Sequence, residues 1–167
     1  MKKIKIKVPA TSANLGPGFD FLGIALNLYN EFIFEEAKEY KEIGFEGIDN
    51  NMVLASYKYI IDKYYKKDLP ICIKLEKNDI PASHGLGSSA SAIVSGMLAA
   101  NYFLNGLLSE KELIKEMIAY EGHPDNVMAC LYGGLTSTVM DEEINIFKYD
   151  VSKDLYFNVL IPSYNVK

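Results

Sequence analysis

Arginine is absent: all seventeen basic side chains among the 167 residues are lysines. The two-pronged recognition of carboxylate or phosphate that usually falls to a guanidinium must therefore come from backbone N–H groups, lysine, a metal or another chain. Acidic residues number 22, leaving a formal charge of −5. With no basic cluster to set against that balance, there is no groove to track a nucleic-acid backbone. Cysteine is scarce as well. Cys72 and Cys130 stand far apart without a C-x-x-C pair or paired histidines, which excludes a disulfide framework and a zinc site and predicts two reduced core thiols. No apolar run is long enough to span a membrane, and the N-terminus alternates Lys with Ile and Val where a signal peptide would carry an apolar block. These absences predict a soluble cytoplasmic protein with neither nucleic acid nor membrane as partner. What is present, 49% apolar and 23% charged residues, suffices for one core in a single compact domain.

Periodicity divides the chain into short elements. Residues 3 to 8 alternate as a half-buried strand that is expected to stop at Pro9, followed by a long loop over 11 to 20 that packs inward through Leu15 and Phe19. Strands are predicted over 24 to 36 and 42 to 47, the second bounded by Gly44 and Gly47. Asp49, Asn50 and Asn51 are N-cap candidates for a helix over 52 to 66. Ile71, Ile73 and Leu75 alternate with polar residues as a strand. The helix carrying Ile93, Met97, Ala100 and Leu104 is apolar nearly all round and should be largely buried, ending at Asn105-Gly106. Ser109 with Glu112 forms a capping box for a helix over 110 to 121. A short helix after Gly122-His123-Pro124, then strands near 135 to 140, 144 to 149 and 155 to 161, complete the prediction.

The stretch from Pro81 to Ser91, PASHGLGSSAS, stands apart. Gly85 and Gly87 permit positive φ and close backbone approach, and Ser88 and Ser89 fall where a helix leaves its first N–H groups unpaired, an arrangement that attracts phosphate. Three phosphate-binding signatures compete for it. The P-loop needs a Gly-Lys pair, and the sequence contains none. Gly85 to Ala90 fits G-x-G-x-x-G/A, yet the preceding strand ends near Lys77, too early, and the acidic residues some twenty positions on open a helix where the dinucleotide fingerprint requires a strand end. The third signature, P-x-x-x-G-L-G-S-S-A, is matched residue for residue, and it belongs to the GHMP kinases.

Two further segments narrow the resemblance to the homoserine kinases of that superfamily: Val8 to Asp20, VPATSANLGPGFD, continued by Leu22 to Leu26; and Glu121 to Val127, EGHPDNV, with Gly133-Gly134 behind it. The resemblance covers the whole chain, whereas homoserine kinases continue into a second domain, so it implies that only their N-terminal part is here. It implies an α+β fold of the ribosomal protein S5 domain 2-like kind, a mixed or antiparallel sheet with helices on one side. It also implies transfer of the ATP γ-phosphoryl to the side-chain hydroxyl of L-homoserine, with Mg²⁺, on the path to threonine.

By the same resemblance, the loop Pro81, Ala82, Ser83, His84, Gly85, Leu86, Gly87, Ser88, Ser89, Ala90 and Ser91 binds ATP, with Asn51 near the adenine or ribose. Ser89, or Ser88 as second choice, and Glu121 ligate Mg²⁺. Glu121 closes a helix, where a carboxylate opposes the macrodipole and needs compensation. Asn14, Asp20 and His123 contact the substrate. Asp125 occupies the position used as base in mevalonate- and galactokinase-like relatives, while homoserine kinases rely on substrate positioning near an Asn, here Asn126; both readings stay open. Each residue also has an ordinary structural use, as N-cap for Ser88, Asn51 and Asp125 or as Asx turn for Asn14 and Asp20. The absent second domain predicts exposed apolar surface and association with that domain or with a second copy as a homodimer.

Overall fold

The computed structural model describes residues 2–46, 51–152 and 154–161. Its organising strand is β2 (Gly18–Glu36), which hydrogen-bonds to three others. Along one edge it pairs with β1 (Lys3–Leu15); along the other it pairs first with β5 (Leu135–Met140), then with β4 (Ile71–Asn78). A short β3 (Lys41–Ile43) joins β4 in parallel, and β6 (Ile144–Tyr149) joins β5 antiparallel, so the six-stranded sheet is mixed.

One face of the sheet carries Ile6, Val8, Phe32, Phe34, Ile71 and Ile73, all in the main core. The opposite face of β1 presents lysines, with Lys5 bridging Glu31 on β2 and Glu76 on β4. Strand alternation thus sends every second side chain inward and the rest to solvent. Helices α1 (Met52–Ile60), α2 (Ser88–Phe103), α3 (Glu110–Glu121) and α4 (Asp125–Tyr132) cover the apolar face. This is the expected α+β arrangement, mixed sheet with helices on one side.

Eleven of the sixteen residues of α2 are buried, so it has no polar stripe and lies between the sheet and the other helices. Its hydroxyls are satisfied along the helix: Ser91 Oγ donates to the Ser88 carbonyl at 2.8 Å and Ser95 Oγ to that of Ser91 at 2.6 Å. At Gly96 the backbone of α1 comes so near that an added Cβ would lie 2.1 Å from Ser56 Oγ and 2.4 Å from the Val53 carbonyl oxygen. The capping box of α3 forms as predicted, with both Ser109 and Glu112 bonded to each other's backbone.

Several boundaries differ from expectation. Strand β1 does not stop at Pro9. It runs on to Leu15, with a register shift between Pro9 and Ala10. A proline is tolerated there because, among the described residues, β1 pairs only with β2, so its missing N–H costs no second ladder. The expected loop over 11 to 20 is consequently the end of a hairpin that turns at Gly16-Pro17, and Phe19, at 72% exposed, does not pack inward. The strand expected over 42 to 47 is cut short at Ile43, where Gly44 takes φ +84°; Gly47 lies outside the described residues. Asn51 caps α1, accepting from the Val53 N–H at 3.0 Å, while the other candidates, Asp49 and Asn50, also lie outside them. The helix continues beyond Ile60 as a single wider turn to Tyr65, closed by Lys66 N–H on the Ile61 carbonyl. No strand forms over 155 to 161, since among the described residues no neighbouring strand offers it a ladder; Tyr156 and Leu160 are 87% and 94% exposed. Cys130 is buried and Cys72 half-buried, both free. Among the described residues, no helix is long and apolar enough to cross a membrane.

The contact at Gly96 generates a stability prediction. Gly96→Ala should push α1 from α2 and lower the free energy of unfolding by about 3 kcal/mol, read as a reduced urea midpoint; an unchanged midpoint would mean that the helices do not approach this closely.

Candidate active site

The glycine loop follows β4 and is held by one buried side chain. Leu86, 5% exposed, packs with Ala10 and Ile80 in a small cluster apart from the main core. On either side of it Ser83, Gly85 and Gly87 take φ of +60°, +69° and +66°, so the chain winds through left-handed residues before α2 starts. Gly87 is the N-cap and has no side chain to spend on the first turn. The N–H groups that a Ser or Asp cap would have engaged are left at the mouth of a cleft of about 840 Å³, lined by Ala82 to Ser89.

From the other side of this mouth comes the C-terminal end of α3. Ser89 Oγ donates to Glu121 Oε1 at 2.5 Å, and Gly122 at φ +99° closes the helix immediately after. Burial pushes the Glu121 carboxyl above the ordinary range, an effect opposed by the Ser89 hydrogen bond and the nearby His123 and reinforced by Asp125. A hydroxyl and a desolvated carboxylate brought together in this way make a hard-oxygen pair suited to Mg²⁺, which takes few protein ligands and completes its shell with water and phosphate oxygens. Among the described residues, no cluster of three or more His, Cys, Asp or Glu could hold a metal by itself, so any cation bound here would share its shell with a ligand.

Beyond Glu121, the turn into α4 brings His123, Asp125 and Asn126 together. Asp125 is 1% exposed. Its Oδ1 accepts from the Asn126 N–H at 2.6 Å and lies 2.9 Å from His123 Nδ1, while its Oδ2 has no hydrogen-bond partner among the described residues. The carboxylate oxygen places the proton on His123 Nδ1, which leaves Nε2 for the cleft that His123 and Asn126 line. Glycine is required opposite: a Cβ on Gly23 would stand 2.3 Å from the Asp125 carbonyl oxygen.

The structure thus gathers Asn14, Asn51, Ala82 to Ser89, Ser91, Glu121, His123 and Asn126 around one cleft. Asp125 lies beneath it, Ala90 is buried in the core, and Pro81 and Asp20 are outside the lining. Asp20 is exposed, and its N–H donates to Asn14 Oδ1 at 2.9 Å. Asn51 combines its capping role with a hydrogen bond to Glu42 Oε2 at 2.7 Å. His84 Nδ1 sits 2.5 Å from the Ala82 carbonyl, a contact internal to the loop.

Sequence reasoning missed the far wall of this cleft and the buried polar residues beside it. Phe32, stacked on Phe45 at 6.3 Å, with Met52, Val53, Leu75 and Ile80 gives the wall its apolar character. Asn30 is buried beside it, accepting from the Ile80 N–H at 3.0 Å. Thr11, fully buried, donates to Asn126 Oδ1 at 2.8 Å. The aromatic and aliphatic residues read as ordinary core, and Ala10 and Thr11 are both fully buried although they are neighbours on one strand, which alternation cannot foretell.

The raised Glu121 pKa sets a pH dependence. In the folded chain this carboxyl holds its proton more tightly than when unfolded, so its contribution to stability is greatest below the ordinary carboxylate range and is lost as pH rises through the raised value. In metal-free buffer, Glu121→Gln should abolish that fall and leave the variant more stable than the parent at neutral pH. Urea midpoints across the acid-to-neutral range check this, and a variant less stable at neutral pH would contradict it.

Residues 51–134 match the family of the GHMP kinases N terminal domain. The homoserine kinase of Clostridium botulinum (strain Langeland) is 43% identical to this chain, over 98% of the chain and 56% of its own length. Among solved structures, the homoserine kinase from Cytophaga hutchinsonii is similar at 29% identity with a TM-score of 0.72, over 91% of this chain and 53% of its own. Mevalonate kinase from Methanococcus jannaschii shares the fold at 17% identity and a TM-score of 0.63, over 90% and 56% of the two chains. The chain spans 56% of the length of the Clostridium relative. The matched stretch runs from Asn51 through the glycine loop and Glu121 to Asn126 and on to Gly134, and with half of its residues so matched the chain belongs to the GHMP kinases, as their N-terminal domain.

Proposed function

We propose that this chain is the nucleotide- and magnesium-binding part of an ATP-dependent homoserine kinase, which transfers the γ-phosphoryl of ATP to the side-chain hydroxyl of L-homoserine in cytoplasmic threonine biosynthesis. The observation that carries this reading is the Ser89–Glu121 contact at the uncapped start of α2, in the same cleft as His123 and Asn126. Phosphoryl transfer asks a protein mainly for positioning and charge neutralisation. The backbone from Gly85 to Ser89 supplies donors to the phosphates, and the apolar wall around Phe32, Phe45 and Val53, with Asn51 at its edge, supplies a surface for the base.

Ser89 Oγ and Glu121 Oε1 would hold Mg²⁺, which when bound neutralises phosphate charge. Asn14 and His123 would orient the amino-acid acceptor, and Asp20 would act through Asn14, whose carbonyl oxygen its N–H engages. Asp125, buried under His123 and Asn126, fits a positioning role better than direct proton abstraction, because it does not line the cleft. Exposed apolar residues at 155 to 161 support a partner surface. We assign its cover to the further length that the relatives carry, with a homodimer as the alternative.

Coupled ADP release with L-homoserine, mevalonate and a hexose as acceptors tests the reading, using the chain alone and the chain carried to its relatives' full length. The longer polypeptide should turn over L-homoserine in preference; preference for mevalonate would assign it to a neighbouring activity, and no alcohol-dependent turnover would sink the proposal. Ser89→Ala and Glu121→Gln should weaken Mg·ATP binding about tenfold or more by calorimetry, about the loss of one charge-assisted contact. Asn14→Ala should raise the KM for homoserine and leave Mg·ATP binding unchanged.

A further inference from the structure

Three parts of the cleft meet at one side chain. Thr11, on β1, is fully buried. Its backbone N–H donates to the Leu86 carbonyl of the glycine loop at 3.1 Å. Its Oγ1 occupies the space beside Gly87, where an added Cβ would fall only 1.9 Å away. Its hydroxyl proton goes to Asn126 Oδ1 at 2.8 Å.

A threonine hydroxyl can meet either end of an amide, so the orientation of Asn126 is set on its other side, by the Asp125 carboxylate. With Oδ1 turned to Thr11, Nδ2 is directed toward Asp125 Oδ1, 3.3 Å away. The flipped amide would bring two acceptor oxygens together at a buried carboxylate, so the arrangement has one sense only. Asp125 Oδ1 in turn engages His123 Nδ1 at 2.9 Å. A continuous chain of hydrogen bonds therefore runs from the phosphate loop through Thr11, Asn126 and Asp125 to the imidazole that lines the cleft.

We propose that Thr11 is a positioning residue that couples the glycine loop to Asn126 and, through Asp125, to His123, keeping the donor and acceptor halves of the cleft in one fixed relation. The inference rests on the homoserine kinase reading for its kinetic consequence, though its structural consequence is measurable without turnover. Thr11 is fully buried and does not line the cleft. Its bonding to the loop is through backbone, so changing its hydroxyl should disturb the acceptor side and spare the nucleotide side.

In the polypeptide carried to its relatives' length, Thr11→Val should lower kcat with L-homoserine about tenfold, the worth of one neutral hydrogen bond, and leave the KM for Mg·ATP within about twofold. Thr11→Ser, which keeps the hydroxyl, should recover most of that loss. In an Asn126→Ala background Thr11→Val should cost nothing further, since coupled residues are non-additive. A Thr11 that merely packs the core would lower the melting temperature with kcat per active site intact, or give losses that multiply with those of Asn126→Ala; either overturns the proposal. If the valine variant fails to fold, Thr11→Ala removes the hydroxyl without adding bulk and carries the same comparison.

The second arm is nuclear magnetic resonance of the ¹⁵N-labelled chain. Thr11→Val should shift or broaden the Asn126 side-chain amide signals while Thr11→Ser leaves them near the parent positions. An unmoved amide refutes the coupling whatever the enzyme does. A moved amide in a protein that phosphorylates no alcohol upholds the coupling and refutes the homoserine kinase reading alone.

Discussion

The close packing of α2 in the core is the constraint from which the site follows. A helix with eleven buried residues in sixteen cannot tilt or slide without exposing apolar surface, and each of its fully buried side chains, Ile93, Val94 and Met97 among them, contributes about 1.5–3 kcal/mol. The approach of α1 at Gly96 locks the helix from one side, and β1 and α4 from the others. Its first turn is consequently delivered to a fixed point, where Gly87 leaves the N–H groups open. A helix start on a mobile helix would have to be ordered by whatever it met; here the core has already ordered it.

The polar groups of the cleft lie against that stability. Glu121 is desolvated at the unfavourable end of α3, and Asp125 carries a buried oxygen without a partner among the described residues. Both arrangements cost free energy in the unliganded chain. Hydrogen bonds from Ser89, His123 and the Asn126 backbone offset part of the cost, and the remainder is the kind of residual strain that binding sites hold and structural surfaces do not.

Much of this was legible in the sequence. The buried character of α2 follows from an apolar run without a polar stripe, the ends of α3 from Ser109, Glu112 and Gly122, and the loop's identity from Gly85, Gly87 and the serines beside them. What periodicity could not convey lies where two rules compete. Pro9 normally ends a strand, yet on an edge it does not, and just past it two successive residues, Ala10 and Thr11, are both buried. The turn formers from Thr11 to Asp20 suggest an open loop, yet Asn14 and Asp20, each at φ +57°, are accommodated within hairpin strands. The apolar run over 155 to 161, rich in aromatic and branched residues, suggests a strand, yet a strand exists only where another offers it a ladder. Asn14, Glu121, His123 and Asn126 are far apart in the chain, and only the topology brings them to one cleft.

Pro9 has a further consequence for how molecules of this protein meet one another. An outer strand of thirteen residues with a free row of N–H and C=O groups is a template on which a second sheet could grow, and with it aggregates. On β1 that row is interrupted near its middle by a residue with no N–H to offer, beside a change of register, and two residues further on it is taken up by the Thr11 N–H bond to the Leu86 carbonyl. The irregularity at Pro9, next to the residues that meet the glycine loop, thus also spoils β1 as a nucleus for intermolecular sheet.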